Sequence, residues 1–175
     1  MTAVGVLPGA LVTTSLGAIP VEGVSAGDVV LTHRSRWRTV TRTSMQFYDG
    51  EAVRFRPPGL DDLLLVTMHM VWVADSDDAG DRPQRWRFEP ACLVKPYQFV
   101  FFPVPTTWPD GFKSDVEPER FRSIEVVAAE GGIAVRSAFV DRVPYCGYVY
   151  DFSVEEDQSY VADGISVGSC TSTTS

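Results

Sequence analysis

The sequence predicts a single all-β domain, and three observations carry that reading. Apolar residues come in short runs, the runs are broken by Gly, Pro or Asp-Gly pairs about every 8 to 12 residues, and no segment demands a long helix. At 175 residues, 45% hydrophobic and 22% charged, the chain is long enough for one buried core and short for two.

In chain order the predicted strands are GALVTTS, IPVEGV, DVVLTH, WRTVTRTSMQF, EAVRFRP, LLLVTM with MVWVAD, QFVFFPV, SIEVVAAE, IAVRSAFVDRV, YVYDFSVE, SYVADG and ISVG. Each is rich in β-branched or aromatic residues, which suit a pleated, half-buried surface. Asp49-Gly50 and Asp163-Gly164 have the composition of hairpin or corner turns. Two polar stretches, Ser76 to Arg85 and Pro105 to Glu119, are expected as surface loops within one domain. The one short helical candidate spans Glu117 to Phe121, after Ser114-Asp115.

Charge and cysteine content exclude several functions. The 23 acidic and 15 basic residues give a net charge of -8, which repels phosphate backbones, so no nucleic-acid partner is expected. No apolar run approaches the roughly 18 to 20 residues of a membrane-spanning helix. The opening MTAVGVLPGALV lacks the basic region of a signal peptide, which makes a cytoplasmic location the expectation. Cys92, Cys146 and Cys170 are too scattered for a disulfide framework, and with His33 and His69 they form no spaced ligand set, so neither metal nor cofactor is expected.

Four segments, taken together, resemble a known family. They are GVLPGALVTTSLGAIPVEGVSAGDVVLTH from Gly5 to His33, with VEGVSAGDVVL its best-matching part; LLLVTMHMVWVAD; YVYDFSVEEDQSYVADG; and the closing ISVGSC. In order and spacing they resemble the conserved blocks of inteins, members of the Hint superfamily, over nearly the whole chain from Gly5 to Cys170. The resemblance implies a horseshoe-like β-fold with two pseudo-symmetric halves that brings both chain ends into one cleft. The missing length between the second and third segments implies a mini-intein without a homing endonuclease. On this reading residues 1–4 and 170–175 are flanks, residues 5–169 are the domain, and its partners are its own flanking segments, acted on by a monomer.

The chemistry of that family demands particular residue types. A first Cys or Ser attacks the preceding carbonyl, the Thr and His of a T-x-x-H block stabilise the oxyanion and protonate the leaving nitrogen, and the first residue after the domain accepts the acyl chain. A terminal Asn then cyclises with help from the His before it.

Position by position, the present chain departs from this. Gly5 stands at the first nucleophile and Ala10 at the usual Thr. Thr67 matches the Thr of T-x-x-H, but the His falls on Met70; His69 lies one residue early and on a strand would point to the opposite face. Asp151 matches the Asp of the third block, while the later His of that block falls on Gln158. The penultimate His is Gly168 and the terminal Asn is Ser169. Cys170, Thr67 and Asp151 retain plausible chemistry.

The resemblance therefore implies splicing blocked at both ends. Gly5 has no side chain to attack with, and Ser169 has no amide nitrogen to cyclise. Attack by Cys170 on the Val4 carbonyl is expected to be slow without an acid for the leaving nitrogen, since losing such a group typically costs about 100- to 10,000-fold. A second family subclass uses an internal Cys with a Trp two residues after the block His; Trp72 fits that Trp, but Asp151 occupies the Cys position and Cys146 lies five residues earlier.

Plainer readings stand beside these. Cys146 reads as a small buried hydrophobe, His69 as a core or cleft histidine with a satisfied hydrogen bond, Asp49 and Asp163 as turn residues, and Trp37, Trp72, Trp86 and Trp108 as core and loop-base filling. Two functions follow: a splicing-deficient intein with both junctions intact, flanked by MTAV and CTSTTS, or a Hint-like β-domain without chemistry that serves as a scaffold or binding module.

Overall fold

The computed structural model describes residues 3–57, 61–80, 82–96, 98–105, 107–108, 127–137 and 140–169. Within them most of the apolar runs form strands: β1 (Leu11–Thr14), β2 (Gly17–Pro20), β3 (Val29–Leu31), β4 (Trp37–Phe55), β5 (Leu63–Val66), β6 (Met70–Ser76), β7 (Pro83–Pro90), β8 (Phe99–Pro103), β9 (Val127–Ala129), β10 (Gly132–Arg136), β11 (Val140–Val154), β12 (Ser159–Ala162) and β13 (Ile165–Gly168). The described residues contain no α-helix, and the helical candidate at Glu117 to Phe121 lies outside them. No described helix is long and apolar enough to cross a membrane.

The strands hydrogen-bond in the order β11-β4-β3-β1-β12-β13-β6-β8-β10-β9, with β2 on β1, β5 on β4 and β7 on β6, and every pairing given is antiparallel. Because successive side chains alternate between faces, one face of most strands turns inward. Val12, Val30, Phe55, Leu65, Val71 and Val167 are fully buried members of the resulting core.

Two halves of this sheet repeat each other. After β2 and after β7 the chain makes one 3-10 turn, Val21–Gly23 and Ala91–Leu93, each preceded by a proline (Pro20, Pro90) at φ near -55° and -57°. Val21 N–H donates to the Ala10 carbonyl at 2.8 Å, and Ala91 N–H donates to the His69 carbonyl at 2.8 Å. Ser25 N–H donates to Asp28 Oδ2 and Lys95 N–H to Gln98 Oε1, both at 2.8 Å. The hairpin β12-β13 joins the halves, with β12 on β1 of the first and β13 on β6 of the second. These matched hydrogen bonds are the two pseudo-symmetric halves that the family resemblance implies.

The structure corrects several sequence expectations. Asp49-Gly50 is not a turn: WRTVTRTSMQF and EAVRFRP belong to the single strand β4, where Asp49 pairs with Cys146 and Gly50 with Tyr145 of β11. The glycines there make room for tyrosine rings lying along their own strands. A Cβ on Gly50 would meet Tyr48 Oη at 2.8 Å and one on Gly147 would meet Tyr145 Oη at 2.6 Å. Those hydroxyls donate to the carbonyls of Glu51 and Tyr148 at 2.7 Å each. The segment IPVEGV leaves strand conformation at Val21, and the predicted loop at Ser76 to Arg85 gives way to β7, a strand that the sequence reading did not separate from it. Asp163-Gly164, in contrast, closes the β12-β13 hairpin with φ of 47° and 84°, both residues in the left-handed region that a two-residue hairpin turn needs.

Candidate functional site

The N-terminal segment enters the fold between β5 and β11. Val6 bridges Leu65 on one side and Tyr150 on the other, exchanging hydrogen bonds with Tyr150 at 2.7 and 2.9 Å. Gly5 is buried, and its carbonyl accepts from Val66 N–H at 2.9 Å. A Cβ added to Gly5 would lie 2.8 Å from Val149 Cβ and Cγ2, closer than carbon atoms pack without displacement.

Val66 begins the turn that leads into β6, and His69 lies in that connection, ahead of the strand. His69 N–H donates to the Val66 carbonyl at 2.9 Å. The expectation that His69 would face away from Met70 holds, but the face it takes is the inward one. Its ring is 1% exposed whereas Met70 is 42% exposed. Burial lowers the His69 pKa to about 4, against a weaker opposing influence from the Gly168 backbone. Neither ring nitrogen has a hydrogen-bond partner among the described residues. The expectation of a satisfied histidine is therefore corrected. Thr67 is half-buried in the turn, and its carbonyl accepts from Cys92 N–H at 2.9 Å.

Asp151 forms a further wall. It is buried on β11, and its Oδ1 accepts from Phe152 N–H and from Tyr160 Oη, each at 2.9 Å. The Tyr160 ring packs on Phe152 with centroids 3.9 Å apart and stands edge-on to His69 at 6.2 Å.

The C-terminal segment arrives along β13. Val167 pairs with Val71; continuing the antiparallel count, Gly168 stands opposite Met70 and Ser169 opposite His69. A Cβ on Gly168 would meet Met70 Cβ at 2.9 Å, as that register requires. Gly168 also pairs with Ser159, and Ser169 N–H donates to the Gln158 carbonyl at 2.8 Å. Ser169 Oγ is buried and has no hydrogen-bond partner among the described residues. Cys170 lies outside them.

The Gln158–Ser159 segment is itself anchored by residues that the sequence reading did not select. The Asp157 side chain, 1% exposed, accepts from Thr32 Oγ1 and from both Nε and Nη2 of Arg36. Ser159 Oγ accepts from His33 N–H at 3.0 Å and sits 2.6 Å from His33 Nδ1. With that oxygen already accepting, its own proton is placed to go to Nδ1, which leaves the ring neutral. Burial outweighs the pull of Asp157 and holds the His33 pKa at about 4. The sequence signal was faint: LTH ends a predicted strand with no spacing to Asp157 or Ser159.

The tryptophans pack as core and loop-base filling, with Trp86 against a buried cluster and Trp37 against Trp108, whereas Cys146 departs from its plainer reading. Trp72 is half-buried, stacked on Trp86 at 6.2 Å and packed against His33 at 4.6 Å. Trp37 and Trp86 are also half-buried, and Trp108 is exposed. Cys146 is exposed on the β4-β11 ribbon, five residues or about 16 Å along the strand from Asp151.

No family model matches the sequence, and no curated protein matches it. Solved structures do match over nearly their full length. The chain is similar to a bacterial intein-like domain from Clostridium thermocellum (15% identity, TM-score 0.62, covering 96% of this chain and 99% of that one). It is similar to a DnaB intein from Synechocystis (11%, TM-score 0.62, 95% and 99%) and to the DnaX mini-intein from Spirulina platensis (18%, TM-score 0.60, 93% and 98%). With the antiparallel sheet, the paired halves, and Gly5 and Ser169 both meeting the Val66–His69 turn, this chain has the Hint fold of the inteins and mini-inteins.

Proposed function

We propose that residues 5–169 are an intein-type autoprocessing domain that has lost splicing in cis, and that, as a cytoplasmic monomer without metal or cofactor, its only substrates are its own flanks. The observation that carries this reading is the convergence of both junction positions on one turn. Gly5 is hydrogen-bonded to Val66, Val66 to His69, and Ser169 stands opposite His69 by the register of β13 on β6. Such an arrangement serves a reaction between two chain ends and has no evident use in a simple binding module.

The same site supports the loss of chemistry. Gly5 offers no nucleophile, and the space for a side chain there is taken by Val149. The space at Gly168 is taken by Met70. A domain disabled by single replacements would keep empty cradles where the reactive side chains belong, whereas here the neighbours pack against both glycines. His69, unlike these two, keeps an imidazole in the cleft and fits the acid role of the block histidine better than Met70 does.

Intact-mass analysis of the chain incubated with dithiothreitol and hydroxylamine tests this. The first four residues are expected to remain attached, and their prompt release overturns the loss of the N-terminal acyl shift. The scaffold reading is favoured by the two filled cradles. Restoring Gly5→Cys with Val149→Ala, Met70→His, and Gly168→His with Ser169→Asn separates the readings: an autoprocessing cleft regains cleavage of either flank and a drifted scaffold does not.

A further inference from the structure

Two buried polar groups without hydrogen-bond partners among the described residues, the His69 ring and Ser169 Oγ, belong to residues that stand opposite each other by the register of β6 and β13. Residues directly opposite on antiparallel strands put their side chains on the same face. Val71 and Val167, two positions along, are both fully buried, so this shared face is the inward one. Leaving buried donors and acceptors unmatched costs about 1 to 3 kcal/mol per group, and groups kept that way tend to sit where chemistry occurs.

The bond next to them is the peptide between Gly168 and Ser169. The register that sets Gly168 opposite Met70 and Ser169 opposite His69 places this peptide beside the His69 residue. The peptide nitrogen is held by donation to the Gln158 carbonyl at 2.8 Å, and Gln158 is fixed in turn by the Asp157 and Ser159 anchors on the Thr32–Arg36 segment. Gly168 carries no side chain that would cover the carbonyl carbon. The chain contains no asparagine at all, so side-chain amide cyclisation by asparagine is closed to it everywhere.

We propose that the Gly168–Ser169 bond is a self-cleavage site that works by an N-to-O acyl shift at Ser169, independently of splicing. Ser169 Oγ attacks the Gly168 carbonyl carbon, the carbon–oxygen bond forms, and the carbon–nitrogen bond breaks. The hydroxyl proton ends on the departing Ser169 nitrogen, leaving an ester and a free amine. Water then hydrolyses the ester, giving a Gly168 carboxylate and a released C-terminal segment that begins with Ser169. The attack is intramolecular, which removes the entropy cost of bringing nucleophile and carbonyl together. A neutral imidazole has one N–H and one free nitrogen. In His69 the N–H polarises the Gly168 carbonyl and the other nitrogen carries the proton. The inference shares with the proposed function the reading of this cleft as an autoprocessing site, but it needs neither Gly5 nor Cys170.

The full chain, incubated near neutral pH with and without hydroxylamine and followed by intact mass, tests it. The expected product ends at Gly168, as the acid in buffer and as the hydroxamate when hydroxylamine intercepts the ester; the absence of Asn-Gly pairs removes the usual side reaction. Ser169→Ala is expected to abolish both products and Ser169→Thr to retain them. Ser169→Cys is expected to give an intermediate that thiols release, and His69→Gln to slow the reaction by about 100-fold or more. Thermal unfolding of each variant shows whether it still folds. No Gly168-ending product after prolonged incubation with hydroxylamine, the same product from Ser169→Ala, or a product ending at Ser169 each overturns the inference. Loss of the N-terminal four residues is read as a different mass, so failure here and failure of the proposed function are told apart in one spectrum.

Discussion

The Gly5 carbonyl accepts a hydrogen bond from Val66 N–H at 2.9 Å, while a Cβ on Gly5 would collide with Val149 at 2.8 Å. The backbone of Gly5 is thus held from one side and its side-chain space is filled from the other.

Gly5→Cys is therefore expected to destabilise the protein by about 1 to 3 kcal/mol through overpacking. Val149→Ala in the same chain should recover most of that loss. Urea denaturation of the two single variants and the double variant measures the coupling, and additive effects would show that Val149 does not occupy the space.

Asp163 ties the β12-β13 turn to the start of β1: its Oδ1 accepts from Leu11 N–H at 2.9 Å and its own N–H donates to the Leu11 carbonyl at 2.8 Å. Burial raises its pKa from 3.8 to about 6, partly opposed by the Leu11 hydrogen bond and assisted by the carboxylates of Asp61 and Asp62. The folded state then binds this proton more tightly than the unfolded state does. Its penalty is absent below about pH 3.8, grows as pH rises, and is complete above about 6. Asp163→Asn keeps the acceptor and removes the charge, and asparagine tolerates the positive φ. The variant should be more stable than the parent at pH 7 by about 1 to 3 kcal/mol and equal to it near pH 3.5. Denaturant midpoints across that range provide the check.

Asp157 works in the opposite sense. Burial of its side chain pushes its pKa up, but the hydrogen bonds from Arg36 and Thr32 outweigh burial and hold it below 3.8. Its contribution is fully present above pH 3.8 and is lost as pH falls through the lower folded value. Asp157→Ala leaves Thr32 and the Gln158 segment without their anchor and is expected to cost about 2 to 4 kcal/mol. It should also speed amide exchange at Ser169, whose N–H bonds to Gln158. Unchanged exchange there would sever the Asp157 anchor from Ser169.

Tyr160→Phe deletes the hydroxyl that donates to Asp151 Oδ1 inside the core. Removing a buried donor so that its acceptor loses a partner costs about 1 to 3 kcal/mol, so a loss of that size is expected with the ring packing on Phe152 and His69 kept. A thermal midpoint equal to the parent's would contradict it.

Some of the site was legible in residue types and some was not. Asp163-Gly164 could be read as a turn because the left-handed pair and the flanking strands form one local unit. Asp49-Gly50 has the same composition, yet it runs straight through β4, because pairing with the whole length of β11 outweighs a two-residue preference. His69 could be located in its segment, but its inward direction follows from the turn before β6, which no period in LLLVTMHMVWV discloses. His33, Asp157 and Ser159 come together from opposite ends of the chain, and nothing in their spacing announces it.

The sequence by itself determined an all-β chain, the β12-β13 hairpin, the family resemblance and the presence of Gly5 and Ser169, which carry no thiol and no side-chain amide, because these depend on short-range periodicity and on the chemistry of single side chains. Tertiary structure alone decided that His69 faces inward opposite Ser169, that Val149 and Met70 fill the space beside two glycines, and that Asp157 anchors the segment whose Gln158 carbonyl holds Ser169. Each of those facts is a contact between segments distant along the chain, and only the closed sheet sets how near such segments come.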